Sequence, residues 1–145
     1  MQSVNRYTPE YVAQCRSAIA AQLSAYRELV AAAGAAGPEP ETNLQAAVDG
    51  FERLFFRDLI VALERAFVHR DRAREGRDGN AANEVRMLAT SILANGGFLA
   101  ADETIRYDAK RAVLGVRIGG EIDVDAAGFS RLAEAFLREV EAKYR

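Results

Sequence analysis

Apolar residues recur at helical spacing along most of the chain, and the first such stretch has a clear beginning. Thr8 suits the N-cap of a helix, Pro9 its first helical position and Glu10 its positive first turn. The stripe that follows predicts a helix to about Ala33, and it consists of Val12, Cys15, Ile19, Leu23, Tyr26, Leu29, Val30 and Ala33. Two glycines and two prolines then indicate a connector over residues 34–41.

The second stretch predicts a long helix over residues 42–74. Over residues 54–68 its apolar side chains spread around nearly the whole circumference, as they do in helices that are covered on all sides. We therefore expect this segment to be the central helix of the fold. Because one short chain supplies little cover for it, we also expect a homo-oligomer. The simplest form is a dimer in which the first or last helix pairs across a two-fold axis.

The third and last helices carry the clearest periodicity in the chain. Asn80 suits the N-cap of the third helix, and Asn95, Gly96 and Gly97 bring that helix to an end. Its apolar stripe consists of Val85, Leu88, Ala89, Ile92 and Leu93. The last helix is predicted over residues 126–144 by a stripe of Phe129, Leu132, Ala133, Phe136, Leu137, Val140 and Tyr144.

Between these two helices the hydrophobic period changes from that of a helix to that of a strand. Residues 104–108 and 113–118 alternate between apolar and polar, and the four residues between them suit a turn. We therefore expect a β-hairpin, followed by a short third strand over residues 121–124. The predicted fold is mainly α, of the α+β class: a single four-helix domain over residues 1–145 with a β-hairpin between the third and last helices.

The composition indicates one globular domain in a reducing compartment. Half of the 145 residues are hydrophobic, and Cys15 is the only cysteine, so no disulfide forms within the chain. Residues 1–6 lack the apolar stretch of a signal peptide. The longest apolar run, residues 54–68, is too short and too charged to span a bilayer. We therefore expect a cytoplasmic protein with no membrane partner.

The net charge is −2, with 19 basic and 21 acidic residues, so the chain as a whole does not attract nucleic acid, and we predict no nucleic-acid partner. The strongest local charge feature surrounds the single histidine, where arginines are interleaved with acidic residues. There we predict Arg65, His69, Arg70 and Arg72 as ligand-binding residues. The alternative is a solvated helix end with salt bridges on its surface.

No catalytic residue, metal site or cofactor is predicted. Cys15 and the serines have only His69 available as a base, and no serine lies in a nucleophile-elbow motif. Glu121, Asp123 and Asp125 alternate and would share one face of a strand, as ligands of a hard cation do. The two aspartates serve equally well as caps of the last helix, so we assign no metal to them.

One part of the chain resembles a known group of proteins. Residues 77–88, with the sequence RDGNAANEVRML, are followed by Thr104-Ile105 and Val113-Leu114-Gly115. This pattern resembles a small group of uncharacterised bacterial proteins, over roughly the C-terminal two-thirds of the chain. The resemblance implies no activity, ligand or site residue.

These observations favour a non-enzymatic interaction or ligand-binding module. The first alternative is a winged-helix DNA-binding protein, because a helix, a hairpin and a dimerising helix follow one another in the order that this class requires. Against it, the third helix offers phosphates only Arg86, which Glu84 offsets. The second alternative is an enzyme with a site near His69.

Overall fold

The computed structural model describes residues 3–35 and 41–145, and these fold into five helices. They are α1 (Pro9–Ala35), α2 (Glu41–Ala66), α3 (Arg72–Glu75), α4 (Ala81–Ala94) and α5 (Ala126–Lys143). The core lies where α2, α4 and α5 pack against one another, and α1 lies along α5 and α2. None of these described helices is long and apolar enough to cross a membrane.

The beginnings of three helices confirm the caps that the sequence predicts. The Thr8 hydroxyl oxygen accepts a hydrogen bond from the backbone N–H of Tyr11 at 3.1 Å, where α1 begins. Asn80 caps α4 in the same way, and Asp125 caps α5 by accepting from the N–H of Gly128 at 2.7 Å. Each cap satisfies a first-turn donor that has no partner within its own helix.

The end of the second helix differs from the prediction, because α2 stops at Ala66 and the chain turns. The N-terminal segment causes this difference. The backbone N–H of Val4 donates to the carbonyl of His69, and the carbonyl of Val4 accepts from the N–H of Asp71 at 2.8 Å. The Asp71 carboxylate then caps the short α3 by accepting from the N–H of Ala73 at 3.0 Å.

The predicted β-hairpin is wrong: residues 104–118 form no strand, and the described residues contain only isolated bridges. The backbone groups that a hairpin needs are bonded elsewhere. The N–H groups of Val113 and Leu114 donate to the Glu84 carboxylate at 2.7 and 2.9 Å. The N–H of Arg106 donates to the carbonyl of Arg77 at 2.6 Å. The predicted α+β class is therefore corrected to an all-helical fold, as far as residues 3–35 and 41–145 show.

The last helix has the orientation that its stripe predicts. All seven predicted apolar positions on and just after α5 are buried: Phe129, Leu132, Ala133, Phe136, Leu137, Val140 and Tyr144. The aromatic rings of Phe136 and Phe67 meet edge to face at a centroid distance of 5.4 Å, which ties α5 to the turn after α2.

The predicted connector lies largely outside the described residues. α1 continues through Gly34 to Ala35, α2 begins at Glu41, and residues 36–40 between them are not described.

Candidate functional site

The four predicted ligand-binding residues occupy different environments. Arg65 is exposed on α2, and His69 is exposed in the turn that follows. Arg70 is buried, and Arg72 lies at the start of α3, where its guanidinium donates to the Thr104 hydroxyl at 3.0 Å. Arg70 and Arg72 both lie near the Glu75 carboxylate, at 2.6 and 3.6 Å, whereas Arg65 and His69 form no ion pair among the described residues. The ligand-binding role of all four stays a prediction.

Arg70 belongs to a buried network that joins α2, α3 and α4. Its guanidinium donates to the carboxylate of Glu75 at 2.6 Å and to that of Glu64 at 3.0 Å. It also donates to the backbone carbonyls of Phe67 and Ala82, at 3.1 and 3.3 Å. A buried arginine needs such partners because an unpaired charge in the interior costs several kcal/mol.

A second arginine completes this network. Arg86 on α4 donates to the Glu75 carboxylate at 2.8 Å and lies 3.6 Å from that of Glu64. Two arginines thus neutralise two buried glutamates. Burial raises the pKa of Glu64, while Arg70 and Arg86 act in the opposite direction. Burial also acts to lower the pKa of Arg70, but Glu64 and Glu75 outweigh it, so that pKa is raised.

Glu84 is also a buried carboxylate, but its hydrogen-bond donors are backbone N–H groups of a loop and not an arginine. Its two oxygens accept the N–H groups of Val113 and Leu114, and its side chain is almost completely excluded from solvent. Burial raises its pKa, and the two backbone hydrogen bonds oppose that shift. On the same helix, the Ser91 hydroxyl accepts from the N–H of Ala100 at 2.9 Å and positions the chain after α4.

These contacts remove the basis of the DNA-binding alternative. That alternative requires a hairpin as its wing, which residues 104–118 do not form. It also requires the polar side chains of α4, the predicted reading helix, to face outward. Asn83, Glu84 and Ser91 are instead buried, and Arg86 is engaged by Glu75.

Two large apolar side chains are exposed on α2 and in the turn that follows it. Leu54 is 65% exposed, and Val68, in the turn after the helix, is 47% exposed. Between them Asp58, Ala62 and Arg65 are also exposed. We call these five residues the outer face of α2. The spacing of the first four residues, three or four positions apart, places them on one side of α2, and Val68 follows three positions later in the turn.

Comparison of the chain with protein-family models, with curated proteins and with solved structures found no match in any of the three. The resemblance of residues 77–88 to a bacterial group stays a prediction. The structure explains part of that segment physically, because it contains the cap of α4 and the carboxylate that holds residues 113–114.

Proposed function

We propose that this chain is a non-enzymatic interaction module that pairs with a second copy of itself through the outer face of α2. The buried ionisable groups support a structural role for the interior, since Arg70, Glu75 and Glu84 are all engaged in internal bonds. The exposed apolar side chains of α2 supply the surface. The lone cysteine supports a cytoplasmic location for this module.

The order of residues along the outer face of α2 carries the proposal. It reads apolar, acidic, small, basic, apolar: Leu54, Asp58, Ala62, Arg65 and Val68. In a two-fold symmetric dimer each surface meets its own copy. If two α2 helices cross in antiparallel fashion near Ala62, each copy's Asp58 lies opposite the other copy's Arg65, which gives two ion pairs per dimer. Leu54 then lies against the partner's Val68.

The side chains of this face are free to make those contacts. Among the residues that the structure describes, neither Asp58 nor Arg65 forms an ion pair. Ala62, which also borders the crevice between α1 and α2, has a small side chain where the two α2 helices would approach most closely. Phe51 is exposed at the edge of the face and stacks on Phe55 at a centroid distance of 5.1 Å, so apolar surface continues beyond Leu54.

The size of the face determines how strong this dimer can be. Leu54 to Arg65 span about 17 Å along a helix that is roughly 10 Å wide, and Val68 lies in the turn beyond them. With its flanks, such a face lies at the lower end of interface sizes, below about 1,200 Å² in total, where association is weak and reversible. We therefore expect a dissociation constant of roughly 1–100 µM.

Reversal of single charges tests this pairing directly. Asp58→Arg places two arginines opposite each other, and Arg65→Asp places two aspartates opposite each other. Either change replaces two attractive pairs per dimer by two repulsive ones. We expect this to cost about 2 kcal/mol of dimerisation free energy, which raises the dissociation constant roughly thirtyfold. Analytical ultracentrifugation over a range of protein concentrations measures the change.

Two further samples in the same experiment restore the attraction. The double variant Asp58→Arg/Arg65→Asp should dimerise as the natural chain does, and an equimolar mixture of the two single variants should form heterodimers. Arg131→Asp, on the exposed side of α5, is the matched control and should leave the dimer unchanged. A monomeric natural chain at about 100 µM, or single reversals without effect, would refute the proposal.

A further inference from the structure

A groove of about 390 Å³ lies between the beginning of α1 and the end of α5. Its floor is apolar and made of the buried side chains of Val12, Val140 and Tyr144. Its rim is positively charged and carries Arg6, Arg16 and Arg145, with Glu141 as the one acidic side chain. An apolar floor under a basic rim is the combination that an amphipathic anion requires.

The three arginines differ in how they are held. Arg16 is held by the carboxylates of Glu134, at 3.3 Å, and Glu141. Arg6 and Arg145 are exposed, and within the described residues neither forms an ion pair with a carboxylate side chain. Arg145 donates to the backbone carbonyl of Glu141 at 2.9 Å, which directs its guanidinium back toward the end of α5. Two arginines thus remain available for an incoming anion.

We propose that this groove binds a small organic carboxylate with an apolar body. The carboxylate would be held by Arg6 and Arg145, because a guanidinium presents paired donors that match both oxygens of a carboxylate. The apolar body would lie on Val12, Val140 and Tyr144. The volume suits a ligand of roughly a dozen non-hydrogen atoms, since a water molecule occupies about 30 Å³.

This site is separate from the proposed dimer surface. The groove lies on the side of α1 that faces α5, whereas the other side of α1 borders a crevice against α2 lined by Cys15, Ala18 and Ala62, among others. No residue of the groove belongs to the outer face of α2. A second copy on α2 would therefore leave the groove open, and the two proposals stand or fall independently.

Isothermal titration calorimetry with octanoate tests the site on the full chain. We expect saturable binding of octanoate, with a dissociation constant below about 1 mM. Acetate has the anion without the apolar body, and octylammonium has the apolar body with the opposite charge, so neither should bind. The double variant Arg6→Ala/Arg145→Ala should bind octanoate at least about tenfold more weakly, because the loss of even one charge-assisted contact has an effect of that order.

The control variant is Arg131→Ala, which removes an exposed arginine of α5 outside the groove and should bind octanoate as the natural chain does. Far-ultraviolet circular dichroism confirms that each variant is folded, which we expect because Arg6 and Arg145 are exposed. Absence of saturable octanoate binding, equal binding of octylammonium, or an unchanged affinity in the folded double variant would each overturn the assignment.

Discussion

Replacement of the buried Arg70 by methionine is the most informative single perturbation of this fold. The Arg70 side chain is 0% exposed and bonds to Glu64, Glu75 and two backbone carbonyls. Methionine fills similar space but leaves both carboxylates with the partly buried Arg86, and Glu75 also with the exposed Arg72. Removal of one member of a buried ionic network costs about 3–5 kcal/mol. That is a large part of a typical domain stability of about 5–15 kcal/mol.

Arg72→Met is the matched control, because Arg72 also pairs with Glu75 but lies at the surface. Its side chain is 41% exposed, and its Nε is 3.6 Å from the Glu75 carboxylate. Exposed pairs contribute less than about 1 kcal/mol, so this change should cost no more than that. The chain has no tryptophan, so urea unfolding is best followed by far-ultraviolet circular dichroism, at one fixed protein concentration. Equal costs for the two variants would refute the assignment of the network.

The pH dependence of Arg70→Met provides a second readout. Burial already raises the pKa of Glu64 above its usual 4.5, and Arg70 opposes that shift, so its loss should raise the pKa further. A carboxyl group whose pKa is raised in the folded state contributes stability below its unfolded pKa and loses it as the pH rises through the folded pKa. The variant should therefore recover part of its lost stability as the pH falls from neutral toward the usual glutamate pKa of 4.5. A gap to the natural chain that stays constant over this range would contradict the reasoning.

Three further substitutions test the core and the loop contact. Phe136→Ala should cost about 3–5 kcal/mol in urea unfolding, because a fully buried ring is lost and leaves a cavity. Arg138→Ala on the same helix should cost under about 0.5 kcal/mol, because that side chain is 76% exposed. If Arg138→Ala cost more than Phe136→Ala, α5 would have to face the other way. Glu84→Gln should cost about 1–3 kcal/mol at neutral pH, because its amide group cannot accept both backbone N–H groups. Burial raises the pKa of Glu84, so the natural chain should gain free energy of unfolding relative to this variant as the pH falls toward 4.5, the usual pKa of a glutamate. A difference in free energy of unfolding that shrinks over this range would contradict the raised pKa.

Helix beginnings and the buried side of α5 were predictable because they depend on neighbouring residues. A capping side chain bonds to an N–H two or three residues ahead, so Thr8, Asn80 and Asp125 act within their own turns. The apolar stripe of α5 likewise repeats within one helix and has one side on which to be buried.

The ends of α2 and the shape of residues 104–118 depend on partners far along the chain. Val4 bonds to the residues just after α2, about 65 positions away, and thereby ends a helix that local periodicity would continue. Glu84 takes the N–H groups of the consecutive residues Val113 and Leu114, one of which a hairpin would have used, from 29 and 30 residues away. A backbone donor can be used only once, so a distant acceptor that reaches it removes the strand pairing.

The polar groups of the interior were the least predictable feature, and they include the predicted ligand-binding residue Arg70. Charged and amide side chains such as Arg70, Glu75 and Asn83 are normally taken as solvent-facing, because burial is costly for each of them alone. Their burial becomes favourable only when the packing of α2, α3 and α4 brings opposite charges and backbone carbonyls within hydrogen-bond distance. Residue type and spacing are therefore sufficient to place caps and apolar stripes. Which charges are buried depends on the tertiary packing, because each of them needs a partner from another part of the chain.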